Sequence, residues 1–202
     1  MITENRLPEK TYRMGLRILK ATVALVSNRK SLLPTFPLAL EVKSLLTNFR
    51  TVVEVPFSEE LDGSISVFET PGTKPAYRLR RRQATFRGPW AKLQKEASDP
   101  RFSLWGNQGF LYRFALCLLE KRHRIYNLHA CALFQRKQNR LYVVAGGPGS
   151  GKTVYLLSGL ERGLELFSTE TVHFKVAGGC VRWYMGSLVD NVRRGTLRHH
   201  FP

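Results

Sequence analysis

The stretch Arg140-Leu-Tyr-Val-Val-Ala-Gly146-Gly-Pro-Gly-Ser-Gly-Lys-Thr153 constrains this chain more than any other. Its apolar half, rich in β-branched and aromatic residues, reads as a strand. It feeds without a spacer into a loop of the form G-x-x-x-x-G-K-[ST]. Glycines at 146, 147, 149 and 151 remove Cβ atoms where a backbone must wrap an anion, so successive N–H groups can converge on phosphate oxygens. Val154 to Arg162 then reads as a helix with Gly163 as its C-cap, and its positive dipole end falls at the same loop. The expected cradle is Gly146, Gly147, Pro148, Gly149, Ser150, Gly151, Lys152 and Thr153. Lys152 would reach the outer phosphates and the Thr153 hydroxyl would ligate Mg²⁺. The implied ligands are a nucleoside triphosphate, ATP, and Mg²⁺. Phosphate binding alone does not separate kinase, ATPase and GTPase.

Around this motif the pattern is mixed α/β. Tyr12 to Ser27 reads as strand material, and Ser31 caps an expected helix reaching Phe49. Thr51 to Pro56 and Ser64 to Phe68 are short β-type segments, and Tyr77 to Phe86 is a basic strand or strand pair. A short helix is expected near Trp90 to Ala97. Asn107 to His123 has helical spacing, with Phe110, Leu111, Phe114, Leu118 and Leu119 on one face. Leu128 to Phe134 is an apolar strand, joined through a polar turn at Gln135 to Asn139 to the strand that enters the loop. Leu164 to Phe167 is a further strand, and Val172 to Met185 reads as a β-hairpin turning at Ala177-Gly-Gly179, with Trp183 and Tyr184 as packing residues. Residues 1–106 are expected to form a β-rich N-terminal lobe, and residues 107–202 the nucleotide-binding core.

Lys and Arg total 32 against 15 Asp and Glu, a net charge of +17, so the chain attracts polyanions. The densest cluster is Arg78-Leu-Arg-Arg-Arg82, flanked by Lys74 and Arg87. Three readings compete for it: a nucleic-acid patch, a docking surface for an acidic protein or peptide, and a solvated edge strand. No recognisable nucleic-acid-binding module accompanies it. Cys117, Cys131 and Cys180 sit among apolar neighbours without metal-ligand spacing and are expected to be buried free thiols of a cytoplasmic protein. No apolar run is long enough to span a bilayer, so no membrane partner is expected.

The flanks of the loop are similar to those of HPr kinase/phosphorylase and its relatives, whose nucleotide loop is like that of phosphoenolpyruvate carboxykinase. Asn127-Leu-His129-Ala130 looks like that family's histidine-bearing strand upstream of the loop. Leu160-Glu-Arg-Gly163 and Leu166-Phe-Ser-Thr-Glu170 match its Arg-Gly turn and the strand ending in paired aspartates, with Thr169 and Glu170 in the aspartate positions. The resemblance spans Asn127 to Phe174. It implies a mixed-sheet P-loop kinase domain of HPr kinase type and ATP-dependent transfer of the γ-phosphoryl group to a hydroxyl of a protein, peptide or small molecule. Glu170 and His129 then become the candidates to orient or deprotonate the acceptor beside Lys152, with Thr153 and Glu170 at the metal. The downstream signature for phosphorolysis is missing, so phosphorylase activity is not expected. The ending at His199-His-Phe-Pro202 leaves two readings, a truncated chain or a domain without the family's later elements.

Asp190 offers a second-metal or Walker-B-like carboxylate, and Arg193, Arg194 and Arg198 offer either phosphate contacts or solubilising charge. A homo-oligomer is compatible with the family. Two other functions fit the same residues: a nucleotide-binding module without turnover, and a nucleic-acid-linked ATPase.

Overall fold

The structure is a computed structural model, in which residues 10–33, 46–58, 60–90, 103–190, 192 and 194–201 are described. It is mixed α/β and mostly strand. The chain forms two compact units, one comprising Met1–Leu45 and Val52–Leu118, the other Leu46–Thr51 and Leu119–Pro202.

The first unit is built on a mixed six-stranded sheet. The Tyr12–Ser27 run folds as two antiparallel strands, β1 (Tyr12–Ile18) and β2 (Ala21–Ser27), which reverse at Leu19 with φ of 54°. β3 (Val52–Val55) pairs antiparallel with β1. β4 (Gly63–Glu69) lies parallel to β2, and β6 (Gln83–Gly88) parallel to β4. β5 (Ala76–Arg80) closes the order β3-β1-β2-β4-β6-β5 as an antiparallel edge. Alternation sends Leu16, Ile18, Val23, Leu25, Ile65 and Val67 to full burial. Helix α1 (Phe110–Leu118) buries Leu111, Phe114, Ala115 and Leu118, the i, i+3, i+4, i+7 stripe expected of an amphipathic helix. Phe110 meets Phe86 of β6 edge-to-face at 4.9 Å, and Phe114 comes so close to Gly63 that a Cβ there would lie 2.9 Å from its ring.

Three expectations change. The helix read from Ser31, with its regular start near residue 37, does not run through to Phe49. Lys30–Leu32 is a single 3₁₀ turn, residues 34–45 lie outside the described part, and residues 46–49 form a turn closed by Phe49 N–H to Leu46 O at 3.0 Å. Leu46 has φ of 53°, a left-handed conformation that a right-handed helix cannot pass through. The Asn48 carbonyl accepts instead from a distant strand, from the Thr171 hydroxyl at 3.0 Å and from His173 Nε2 at 3.2 Å. The helix 107–123 ends as an α-helix at Leu118 and continues only as a π-helical turn, Leu119–His123, which passes into the second unit. Of the three thiols only Cys131 is buried; Cys117 sits off the apolar stripe of α1 and Cys180 at a hairpin end, both exposed. Of the short helix read at Trp90 to Ala97, residues 91–97 lie outside the described residues, as does Arg193.

The second unit holds an antiparallel five-stranded sheet. Its centre is the long strand β7 (Tyr126–Gln135). The first half of β7 pairs with β10 (Thr171–Ala177), and its second half with β8 (Arg140–Ala145) and β9 (Glu165–Ser168). β11 (Cys180–Met185) completes the hairpin with β10 across Gly178 and Gly179, whose φ values of 58° and 73° suit a two-residue turn. Helix α2 (Lys152–Glu161) packs Leu156 onto Cys131 and Leu133 of β7, with Val144, Leu160, Leu164 and Leu166 around them. Gly159 permits this approach, because a Cβ there would lie 2.1 Å from Leu133 Cδ1. Gly163, at φ of 78° just past the C-cap Arg162, closes the helix as expected, with Leu164 N–H donating to Gly159 O at 3.0 Å. A short helix α3 (Arg194–His200) lies against α2, where His200 Nδ1 and Glu161 Oε1 are 2.9 Å apart.

Candidate phosphate-binding site

The strand–loop–helix order of the motif is realised by β8, residues 146–151 and α2. Gly149 and Gly151 have φ of 78° and 83°, a region that L side chains adopt only under strain, so glycine is needed at both bends. Gly151 is the N-cap of α2 and makes no side-chain cap, which leaves first-turn N–H groups of the helix to the loop's concave side. Lys152 folds back over the loop, with Nζ donating to Gly146 O at 2.7 Å and Gly147 O at 2.9 Å. A cavity of about 340 Å³ is lined by residues 149–154 and by Thr196 of α3.

Asp190 brings a carboxylate to the first turn of α2. Thr153 Oγ1 donates to Asp190 Oδ2 at 3.5 Å. Asp190 follows β11 on a segment pinned from the end of β9. Thr169 N–H donates to Ser187 O at 2.8 Å, and the Thr169 hydroxyl to Val189 O at 2.8 Å. The Ser168 hydroxyl donates to Ser187 O at 3.0 Å and also bonds Thr171 O. Ser187 Oγ donates to Val189 O at 2.7 Å and accepts from Val189 N–H at 3.1 Å. Gly186 must be glycine here, since a Cβ would sit 1.9 Å from Thr171 O. Thr169 therefore acts through its hydroxyl as a clamp on the segment that presents Asp190.

Glu170 lies beside the middle of β7 and His129 within it, level with the end of β8. Ala130 N–H donates to Glu170 O at 3.0 Å, and Ala130 is also the register partner of Ala145, the residue before Gly146. His129 is exposed and pairs with Thr171. Beneath the loop, Cys131 Sγ lies 3.5 Å from Lys152 O. Burial pushes its thiol pKa up, against the opposing pull of a backbone hydrogen bond and the Lys152 ammonium. Arg194 and Arg198 are exposed on α3.

Among the described residues no cluster of three or more His, Cys, Asp or Glu could cage a metal. Thr153 and Asp190 still bring a hydroxyl and a carboxylate oxygen together beside the loop, the oxygen types that Mg²⁺ takes. That ion takes one or two carboxylates plus phosphates and water, and neighbouring oxygens on an octahedral ion lie about 3 Å apart, against 3.5 Å between Thr153 Oγ1 and Asp190 Oδ2. The sequence offers both Glu170 and, as a second-metal or Walker-B-like carboxylate, Asp190; the contact with Thr153 is that of Asp190. The polar run Gly186-Ser187 and the hydroxyls of Ser168 and Thr169 were the only trace of the clamp. No helix of the described residues is long and apolar enough to cross a membrane.

No family model, no curated protein and no solved structure matches this chain.

Proposed function

We propose that the chain binds Mg-ATP in its glycine-rich loop and transfers the γ-phosphoryl group to a hydroxyl acceptor, in the manner of the HPr kinase-like proteins its flanks resemble. The observation that carries the reading is the Thr153–Asp190 contact beside a glycine-lined, Lys-bearing loop at a helix N-terminus. The loop N–H groups and Lys152 Nζ hold and neutralise the phosphates. Thr153 and Asp190 would hold Mg²⁺, which supplies charge neutralisation between the β- and γ-phosphates. Glu170, with His129 in support, orients the acceptor hydroxyl and takes its proton as the acceptor oxygen bonds to the γ-phosphorus and the β–γ bridging bond breaks, releasing ADP.

Calorimetric titration with ATP, with and without Mg²⁺, tests the metal half of this reading. Asp190→Asn is expected to weaken Mg-ATP binding by about tenfold or more, the loss of a charged ligand, and to leave metal-free ATP binding within about twofold. Equal Mg²⁺ enhancement in wild type and variant would remove Asp190 from the site. Glu170→Gln is expected to keep binding and lower phosphoryl transfer at least about 100-fold. Binding without any labelled acceptor, and without turnover, would favour a nucleotide-binding module. Hydrolysis accelerated by polynucleotide would favour a nucleic-acid-linked ATPase.

A further inference from the structure

The arginine cluster of the first unit lies on a strand edge that has more than charge to offer. β5 is the terminal strand of its sheet, and all five of its residues are exposed. In an antiparallel pair every second N–H and C=O points away from the partner, so the outer side of β5 presents a row of backbone donors and acceptors. Tyr77 and Leu79 pair with Phe86 and Ala84, and so stand on the face where Ile65 and Val67 are buried. Yet they are 82% and 59% exposed. An edge guarded only by charge would not leave an aromatic and a leucine uncovered on its core-side face.

The charges are placed for a ligand lying along that edge. Arg78 and Arg80 project from the opposite face of β5, and Arg81 and Arg82 form the turn into β6, with Arg81 held at φ of 46°. Arg80, Arg81 and Arg82, with Leu61, Ser64 and Gln83, line a cavity of about 680 Å³. Arg82 Nη1 donates to Asp62 O at 3.3 Å, while the Asp62 carboxylate accepts from Thr22 N–H at 2.9 Å. The ion pairs among the described residues do not involve Arg78, Arg80 or Arg81.

We propose that β5 is a strand-addition site for an extended acidic peptide segment of a partner protein, which hydrogen-bonds to the free edge, covers Tyr77 and Leu79, and places its carboxylates against the arginines of the β5–β6 turn. Main-chain pairing supplies affinity in such recognition, alternating side chains supply specificity, and complementary charge speeds the encounter. A polynucleotide would use the charge but has no amide backbone to match the strand spacing. The inference rests on the first unit alone and is independent of the phosphate-loop reading.

Fluorescence anisotropy on the full chain at low salt tests it, with a labelled peptide of alternating Glu and Val as the probe. The peptide is expected to bind, and N-methylation of all of its amides to weaken binding at least about tenfold, since neither edge of the peptide can then donate to the strand. Arg80→Glu with Arg81→Glu should cost at least about tenfold, whereas the equally charged change Lys137→Glu with Arg140→Glu should cost less than about twofold. Equal binding of the methylated peptide would reduce the edge to a polyanion patch and overturn the proposal, on the wild-type protein and without any variant. Equally effective competition by an oligothymidylate would mark a nucleic-acid surface instead, and no binding of the acidic peptide would refute the proposal outright.

Discussion

His173 provides a titration whose size follows from its surroundings. The ring is fully buried on β10 and stacks on Phe49, with centroids 5.0 Å apart and planes within 9°. Nε2 lies 3.2 Å from Asn48 O, and Nδ1 lies 3.4 Å from the Asn127 side-chain nitrogen. These contacts suit a neutral ring with its proton on Nε2, donating to the carbonyl and accepting from the amide. A second proton on Nδ1 would face another donor. Burial pulls the pKa down from 6.5 to about 4, against a smaller opposing effect of the Asn48 hydrogen bond. Because the folded value lies below the unfolded one, the unfolded state binds more protons between them, and stability falls as pH drops. The loss begins near pH 6.5 and saturates below about 4. At about 1.4 kcal/mol per pH unit, the full effect is about 3 kcal/mol, of which about 2 kcal/mol is gone by pH 5. Urea unfolding of wild type and His173→Gln across this range, followed through hydrogen exchange of β10 amides, isolates the term, since all other groups titrate in both proteins. The expected result is a flatter stability profile for the variant, with the His173 ring titrating near pH 4 by NMR. Parallel profiles, or a ring titrating near 6.5, would refute the buried neutral imidazole.

Lys152→Ala should weaken Mg-ATP binding by about 1.5–3 kcal/mol in calorimetry, the range for hydrogen bonds to a charged group; unchanged affinity would remove the loop from phosphate binding. Gly159→Ala should destabilise by about 1–3 kcal/mol, because the new methyl meets Leu133 Cδ1. Gly186→Ala should cost more in the same denaturant melts, since its methyl meets the Thr171 backbone carbonyl, which cannot rotate aside. A thiol reagent should label Cys117 and Cys180 in the native protein and Cys131 only after unfolding, as burial and a raised pKa both protect the last; rapid native labelling of all three would contradict the packing of β7 on α2.

Local patterns were legible in the sequence where the physics is local. The glycine-rich loop, its strand and its helix, the helix stop at Gly163 and the Gly178-Gly179 hairpin each depend on residues a few positions apart. The helix read through Phe49 does not cover residues 46–49 because the Asn48 carbonyl has its partners more than a hundred residues away on β10, and tertiary hydrogen bonds outweigh a helix propensity of a few tenths of a kcal/mol per residue. Likewise the sequence offers both Glu170 and Asp190 as carboxylates of the site, whereas the contact of Asp190 with Thr153 depends on a clamp of Ser168, Thr169 and Ser187 that no single window contains. The sequence by itself determined the phosphate-loop motif and the alternation of the strands, since backbone conformation and side-chain period are set by neighbouring residues. Only the tertiary structure decided which acid faces Thr153, that Cys117 and Cys180 are exposed, and that the arginines flank an open sheet edge, because each depends on which distant strands pair and which side of the sheet stays uncovered.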